Sequence, residues 1–227
     1  AGKTTTFKMM IGDERISAGD VFLGGHSVKS NKAEKMMGYC PQFGGVLPQL
    51  TGFETLKIFS LIRGIERSAI AGVVDAFAEN LGFKEHLMKP IAALSGGNKR
   101  KVSTALSLLG DPEVVFLDEP TTGIDPQARR LVWDAINKAR NSGQTVILTS
   151  HSMDECESLC TRIGIMVNGQ FTCLGSAQHL KNKYSQGFVL TIKMSRDEEI
   201  LQCQIEDCVK AKFGESTVLK EKYMDIL

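Results

Sequence analysis

The sequence predicts an α/β fold with a largely parallel sheet, and three observations carry that prediction. EVVFLDEP (113–120) is a continuous apolar run closed by acids, the pattern of a strand buried on both faces. QTVILTS (144–150) is a second buried run. Between and before them lie stretches whose apolar residues recur at helical spacing, so that strands and helices alternate along the chain.

Each element has its own local reason. Thr4 to Ile11 continues a loop into a helix, and the glycine-punctuated GDVFLGGHSV (19–28) reads as a hairpin. KMMGYC (35–40) is a short strand ended by Pro41. FETLKIFSLIRGI (53–65) and RSAIAGVVDAFAENLGF (67–83) have helical apolar spacing, with Gly82 suited to ending the second. Ser95 is a good N-cap, so a helix should follow it. Pro126 starts another helix through about Asn141. IGIMVNGQFTCLG (163–175) is a hairpin turning at Asn168 and Gly169. After SAQHLKNKYSQG (176–187) the character changes. FVLTIKM (188–194) reads as a strand, RDEEILQCQIEDCVKAKF (196–213) as an amphipathic helix and STVLKEKYM (216–224) as a strand. This β-α-β beginning places a domain boundary near residue 185, with the second domain cut short.

Composition excludes several classes. With 42% hydrophobic and 23% charged residues, the 227-residue chain is of ordinary globular type. A net charge of +1 offers no electrostatic reason to expect nucleic acid or an anionic membrane surface. No apolar run approaches the ~18 residues needed to span a bilayer. Six cysteines include no C-x-x-C pair. Cys156 and Cys160 have helical spacing, but no second pair or nearby histidine completes a metal site, so reduced, mostly buried thiols are expected.

Five stretches carry chemistry. Gly2-Lys3-Thr4 reads as the second half of the phosphate-binding loop G-x-x-x-x-G-K-[ST], whose first glycine would fall before residue 1. There Lys3 would reach the β- and γ-phosphates of a nucleotide, Thr4 would ligate Mg²⁺ and Thr5 would bond a further phosphate. A bare G-K-T also occurs by chance in surface loops. Asp118 stands where such a loop needs an acid to hold the metal, and Glu119 directly after it could polarise an attacking water. Taken alone, the two acids could equally solvate a strand end. Ser95, Gly96 and Gly97 could present backbone N–H groups and a helix N-terminus to an anion, or form a flexible loop. Lys99, Arg100 and Lys101 read as a solvated basic turn. His151 follows the strand QTVILTS, where open α/β sheets bind ligands, and could donate to a γ-phosphate; Gln42 could touch both metal and water from a loop.

The order of these pieces is more telling than any one. AGKTT, CPQ, LSGG, VVFLDEP, GIDP (123–126) and TSH (149–151) resemble the nucleotide-binding domain of ATP-binding cassette (ABC) proteins over roughly residues 1 to 185. The resemblance implies a P-loop NTPase of the ABC ATPase type with a helical subdomain. It assigns Gly2, Lys3, Thr4 and Thr5 to the Walker A loop, Gln42 to the Q-loop, and Ser95, Gly96 and Gly97 to the signature. Asp118 becomes the Walker B acid, Glu119 the catalytic base, Asp125 part of the D-loop and His151 the switch histidine. FKMMIGD, MGYCPQF, LSGGNKRKVS, TSHSMDECE and IMVNGQFTCLGSAQHLKNKY look like the A subfamily, mostly lipid transporters, and FKMM and GYCPQF like its second nucleotide-binding domain. Asn98, where most signatures have Gln, is common in that subfamily. Residues 186–227 are similar to the start of the regulatory, ferredoxin-like domain that comes next in such proteins.

That resemblance implies ATP and Mg²⁺ as cofactors and ATP hydrolysis coupled to lipid transport by a membrane protein, with this domain on the cytosolic face. Its partners would be another nucleotide-binding domain of the same polypeptide, transmembrane domains and, through them, a lipid. The first Walker A glycine and the aromatic that members stack on adenine would precede residue 1, so these 227 residues alone are expected to bind ATP poorly and not to hydrolyse it. Two rivals remain at this point. A soluble cassette ATPase acting on DNA or ribosomes is disfavoured by near-neutral charge and, for DNA-repair members, by the lack of sustained heptads between residues 5 and 94. A non-hydrolytic regulatory module is disfavoured by the presence of both Glu119 and His151.

Overall fold

The structure is a computed structural model that describes residues 2–184 together with Lys212. The chain divides into two units, Ala1–Tyr184 and Ser185–Leu227, and every described strand and helix named below belongs to the first. The strands and helix expected over 188–224 lie outside the described residues.

The centre is a three-stranded parallel sheet of β3 (Met37–Cys40), β4 (Val114–Asp118) and β5 (Thr145–Thr149), in the order β3-β4-β5. Tyr39 pairs with Phe116 and Phe116 with Ile147, so the three strands end together near Cys40, Asp118 and Thr149. Every residue of β4 is buried. Because side chains alternate across a strand, Val114 and Phe116 enter one core and Val115 and Leu117 the other. Helix α1 (Lys3–Met10) covers the first face through Phe7, whose ring meets Phe116 edge to face with centroids 5.6 Å apart. Helices α5 (Gly96–Leu108) and α6 (Pro126–Asn141) supply Val102, Ala105, Val132 and Ile136 to the other core. This double burial explains why β4 has no polar alternation.

The elements predicted for 19–28 and 163–175 are antiparallel hairpins. The first pairs β1 (Phe22–Leu23) with β2 (His26–Ser27). The second pairs β6 (Ile163–Val167) with β7 (Gln170–Gly175), turning through Asn168 and Gly169 at φ 48° and 80°, as a type I′ turn requires. Helices α3 (Gly52–Ile62) and α4 (Arg67–Asn80) bury Leu56, Ile70, Val74 and Ala78 in the larger core. Helix α4 stops at Leu81, and Gly82 follows at φ 64°.

Three expectations need correction. The sequence pattern predicts neither α2 (Asn31–Met36) nor α7 (Met153–Leu159), and it assigns no type to α8 (Ala177–Tyr184). Helices as short as α2 and α7 make too few turns to display an apolar period, and α2 buries Ala33 alone. Strand β5 is half-buried rather than fully buried, with Thr145 exposed and only Thr149 buried. It pairs on one side only among the described residues, so its flank lacks the cover that β4 has. Of the thiols described, Cys40 is buried, whereas Cys156, Cys160 and Cys173 are half-buried; all four are free.

One local prediction tests the helical pair. Helix α3 opens with a reciprocal capping box: the Thr51 hydroxyl accepts from the Glu54 N–H at 3.1 Å, and the Glu54 carboxylate accepts from the Thr51 N–H at 2.8 Å. Thr51→Ala should cost about 1 kcal/mol in a urea titration. An unchanged midpoint would mean that tertiary packing alone holds the first turn.

Candidate functional site

The site is built at the C-terminal ends of the parallel strands. Asp118 ends β4 and is fully buried. Its Oδ1 accepts from the Thr149 hydroxyl at 2.5 Å, while Oδ2 has no hydrogen-bond partner among the described residues. A buried carboxylate oxygen left in that state costs about 1–3 kcal/mol or more, and a hard cation is the partner that would relieve it. The donor chemistry therefore fits Mg²⁺.

Glu119 turns the chain out of the strand at φ 52°, a left-handed conformation uncommon for a residue bearing a Cβ. Its N–H donates to the carbonyl and hydroxyl oxygens of Thr149, at 3.2 and 3.1 Å, which pins the corner to β5. Four groups converge on the buried carboxylate. Gln42 Nε2 and Thr122 Oγ1 donate to Oε2 at 2.8 and 3.2 Å. His151 Nε2 lies 2.6 Å from Oε1, and Lys3 Nζ 3.8 Å from the same atom. Lys3 Nζ also donates to the Ser150 carbonyl at 3.2 Å and stands 3.3 Å from His151 Nδ1. Lys3 Nζ also lies 3.4 Å from His151 Nε2, and the 2.6 Å approach of Nε2 to Oε1 calls for an N–H between them. The His151 side chain is 74% exposed, so the cluster opens to solvent at the histidine.

The start of α1 completes this side. Gly2 is its N-cap at φ 90° and ψ 4°, and its carbonyl accepts from the Thr6 hydroxyl at 2.9 Å. A Cβ at Gly2 would stand 3.2 Å from Gly169 Cα, a second reason for glycine there. Thr4 is half-buried and Thr5 exposed in the first turn, beside the free N–H groups of the helix N-terminus.

The structure brings Lys3, Gln42, Glu119 and His151 together, with Asp118 one residue away. Ser95, Gly96, Gly97 and Asp125 take no part in that hydrogen-bond network. Ser95 caps α5, its hydroxyl accepting from the Asn98 N–H at 3.2 Å, and Ser95 and Gly96 are exposed. Asp125 caps α6 by accepting from the Ala128 N–H at 2.8 Å, a bond that holds its carboxyl below the ordinary aspartate range. The neighbouring Cys160 thiol draws the Cys156 thiol down to about 7, while Cys156 and burial push Cys160 up. No metal-sized cluster of His, Cys, Asp or Glu occurs among the described residues.

Comparison with known proteins is decisive here: residues 1–122, more than half of the chain, match the family described as ABC transporter. The chain belongs to the ABC transporter family. It is 48% identical over 231 residues to "Phospholipid-transporting ATPase ABCA3" of Rattus norvegicus, an alignment covering 100% of this chain and 13% of that protein. The Homo sapiens protein of the same name is 51% identical over 199 residues, covering 87% of the chain and 12% of the relative. "ATP-binding cassette sub-family A member 7" of Mus musculus is 48% identical over 200 residues, covering 87% and 9%. The chain thus spans roughly a tenth of these relatives' lengths, and they bear out the A-subfamily resemblance. A solved structure titled "Structure of ATP binding subunit of ABC transporter" shares the fold with TM-score 0.74 at 22% identity, covering 89% of this chain and 83% of that one. The ABC fold class is borne out.

Within this ABC domain the basic turn requires correction. Arg100 and Lys101 are buried rather than solvated. Lys101 Nζ donates to the Gly82 carbonyl at 3.1 Å, and burial pushes its ammonium below the ordinary lysine range. Sequence reading also missed Thr149, which bridges the two acids, and Thr122, which bonds Glu119. The only available signal was a hydroxyl residue two before His151 and another three after Glu119.

Proposed function

We propose that this chain is the ATP-binding and ATP-hydrolysing domain of an A-subfamily ABC transporter, coupling ATP turnover to lipid translocation across a membrane. The observation that carries this reading is the convergence of Lys3, Gln42 and His151 on the carboxylate of Glu119, one residue beyond the orphaned oxygen of Asp118. Such a carboxylate can accept a proton from water attacking a γ-phosphate. Lys3 and His151 would meet the charge that grows on the phosphate oxygens. Gly2 and the first N–H groups of α1 would cradle the phosphates, with Thr5 bonding one more. Mg²⁺, held by Asp118, Thr4 and Gln42, would neutralise phosphate charge.

The cap at Ser95, Gly96 and Gly97, exposed at its first two residues, lies outside this network and offers N–H groups to a second nucleotide. That supports a head-to-tail pair with another nucleotide-binding domain of the same polypeptide, with Asp125 at the junction. Residues 1–185 form the nucleotide-binding domain in this reading, and 186–227 begin a regulatory domain. No helix among the described residues is long and apolar enough to cross a membrane; the domain would work on the cytosolic face, joined to transmembrane domains. The lipid class follows the printed names of the relatives.

The test reconstitutes the native polypeptide carrying this sequence into phospholipid vesicles with ATP and Mg²⁺. Phosphate release and transbilayer movement of a fluorescent phospholipid should both occur, and both should fall by about tenfold or more in Lys3→Ala. Turnover that survives Lys3→Ala would sink the site. Turnover without phospholipid movement would sink the lipid coupling alone.

A further inference from the structure

Arg100 lies one turn into α5, 8% exposed, and its hydrogen bonds reach none of the side chains assigned to nucleotide. Its guanidinium meets five backbone carbonyls from two segments far apart in sequence. Nη1 donates to Pro41 and, at 2.9 Å, to Gln42. Nη2 donates to Asp118 and, at 2.6 Å, to Glu119, and Nε donates to Pro120 at 3.3 Å. A guanidinium has five N–H donors in a rigid planar fork, so each donor here has its own carbonyl. The acceptors are the loop that presents Gln42 and the corner where Glu119 sits at φ 52°. A left-handed corner persists only where its surroundings over-determine it, and here both carbonyls of the corner, those of Asp118 and Glu119, are taken by one nitrogen.

We propose that Arg100 is a positioning residue that holds the Gln42 loop and the Glu119 corner in one register. It is carried by the helix that Ser95 caps, so it ties the placement of that exposed helix end to the geometry around Glu119. The kinetic part rests on the ATPase reading above; the clamp itself does not. Lysine cannot replace the fork, because a single ammonium has three donors from one point.

The experiment compares wild type, Arg100→Lys and Arg100→Gln in the native polypeptide, by ATP kinetics and by amide hydrogen exchange. A misplacement of about 1 Å at reacting groups costs about 10²-fold. Arg100→Gln should therefore lower kcat by about that factor and change KM for ATP by less than about threefold, since Lys3 and α1 are untouched. Exchange at Glu119 and Thr122, whose N–H groups bond the Thr149 and Glu119 carbonyls, should quicken by about tenfold or more in both variants, while Val115 to Leu117 stay protected. Arg100→Lys should recover stability better than kcat. Unchanged exchange at those two amides in both variants overturns the clamp. So does exchange that quickens throughout β4, with kcat and KM spoiled together, because that is simple loss of fold. If wild type turns over no ATP, the functional reading fails, and the exchange pattern still decides the clamp.

Discussion

Glu119→Gln should lower ATP turnover by about 10²–10⁴-fold, the range expected for loss of a general base, while ATP stays bound. Glutamine has nearly the same shape, and the corner at φ 52° is held through backbone groups of Glu119, which the substitution keeps. What changes is the group on which Gln42, Thr122, Lys3 and His151 converge. A neutral amide cannot take a proton from water, and one of its two ends becomes a donor facing other donors. The measurement is phosphate release per site beside the amount of ATP retained, in the native polypeptide. Undiminished hydrolysis would remove Glu119 as the base. Loss of ATP binding together with turnover would make it a structural residue.

Gly38→Ala should have the largest effect on stability. Strand β3 lies so close to α5 that a Cβ on Gly38 would stand 1.8 Å from the Ser107 carbonyl oxygen and 2.9 Å from its carbon. Both are backbone atoms, so no side chain can swing aside, and strand or helix must move. The larger core packs around that same helix, through Val102, Ala105 and Leu108. A loss of about 3 kcal/mol or more is expected, at the upper end for overpacking. Urea unfolding of the 227-residue chain, followed by its single tryptophan, Trp133, reads this directly. Gly72→Ala is the paired control: beyond its chain neighbours and its own helix backbone no described atom would lie within 4 Å of its Cβ, and Gly72 sits inside α4. There alanine should add about 0.5–1 kcal/mol by helix preference alone. Equal effects at the two positions would rule out close approach as the reason for Gly38.

Much of the fold was legible because its signals are local. The unbroken apolar run of β4 states that both its faces are covered. Pro126 marks the start of α6, and Asn168 with Gly169 demands the turn between β6 and β7. The short helices α2 and α7 left no such mark, since a helix of less than about two turns cannot display a period. Side chains of the site were legible by residue type and order: Lys3 after a glycine, paired acids at a strand end, a histidine after the next strand.

What the sequence determined by itself is thus the longer elements and the chemical types of the candidate site. Tertiary structure alone decided which of those groups meet. Arg100 stands between two lysines and looks like any solvated base. Its burial depends on carbonyls at residues 41–42 and 118–120, brought beside it only when α5 packs on β3 and β4. Thr149 likewise joins Asp118 to Glu119 only because β4 and β5 pair in one register. Hydrogen bonds act over about 3 Å of space, whereas a sequence pattern reports neighbours along the chain. The bond from Gln42 to Glu119 becomes a fact of the molecule only when the sheet forms.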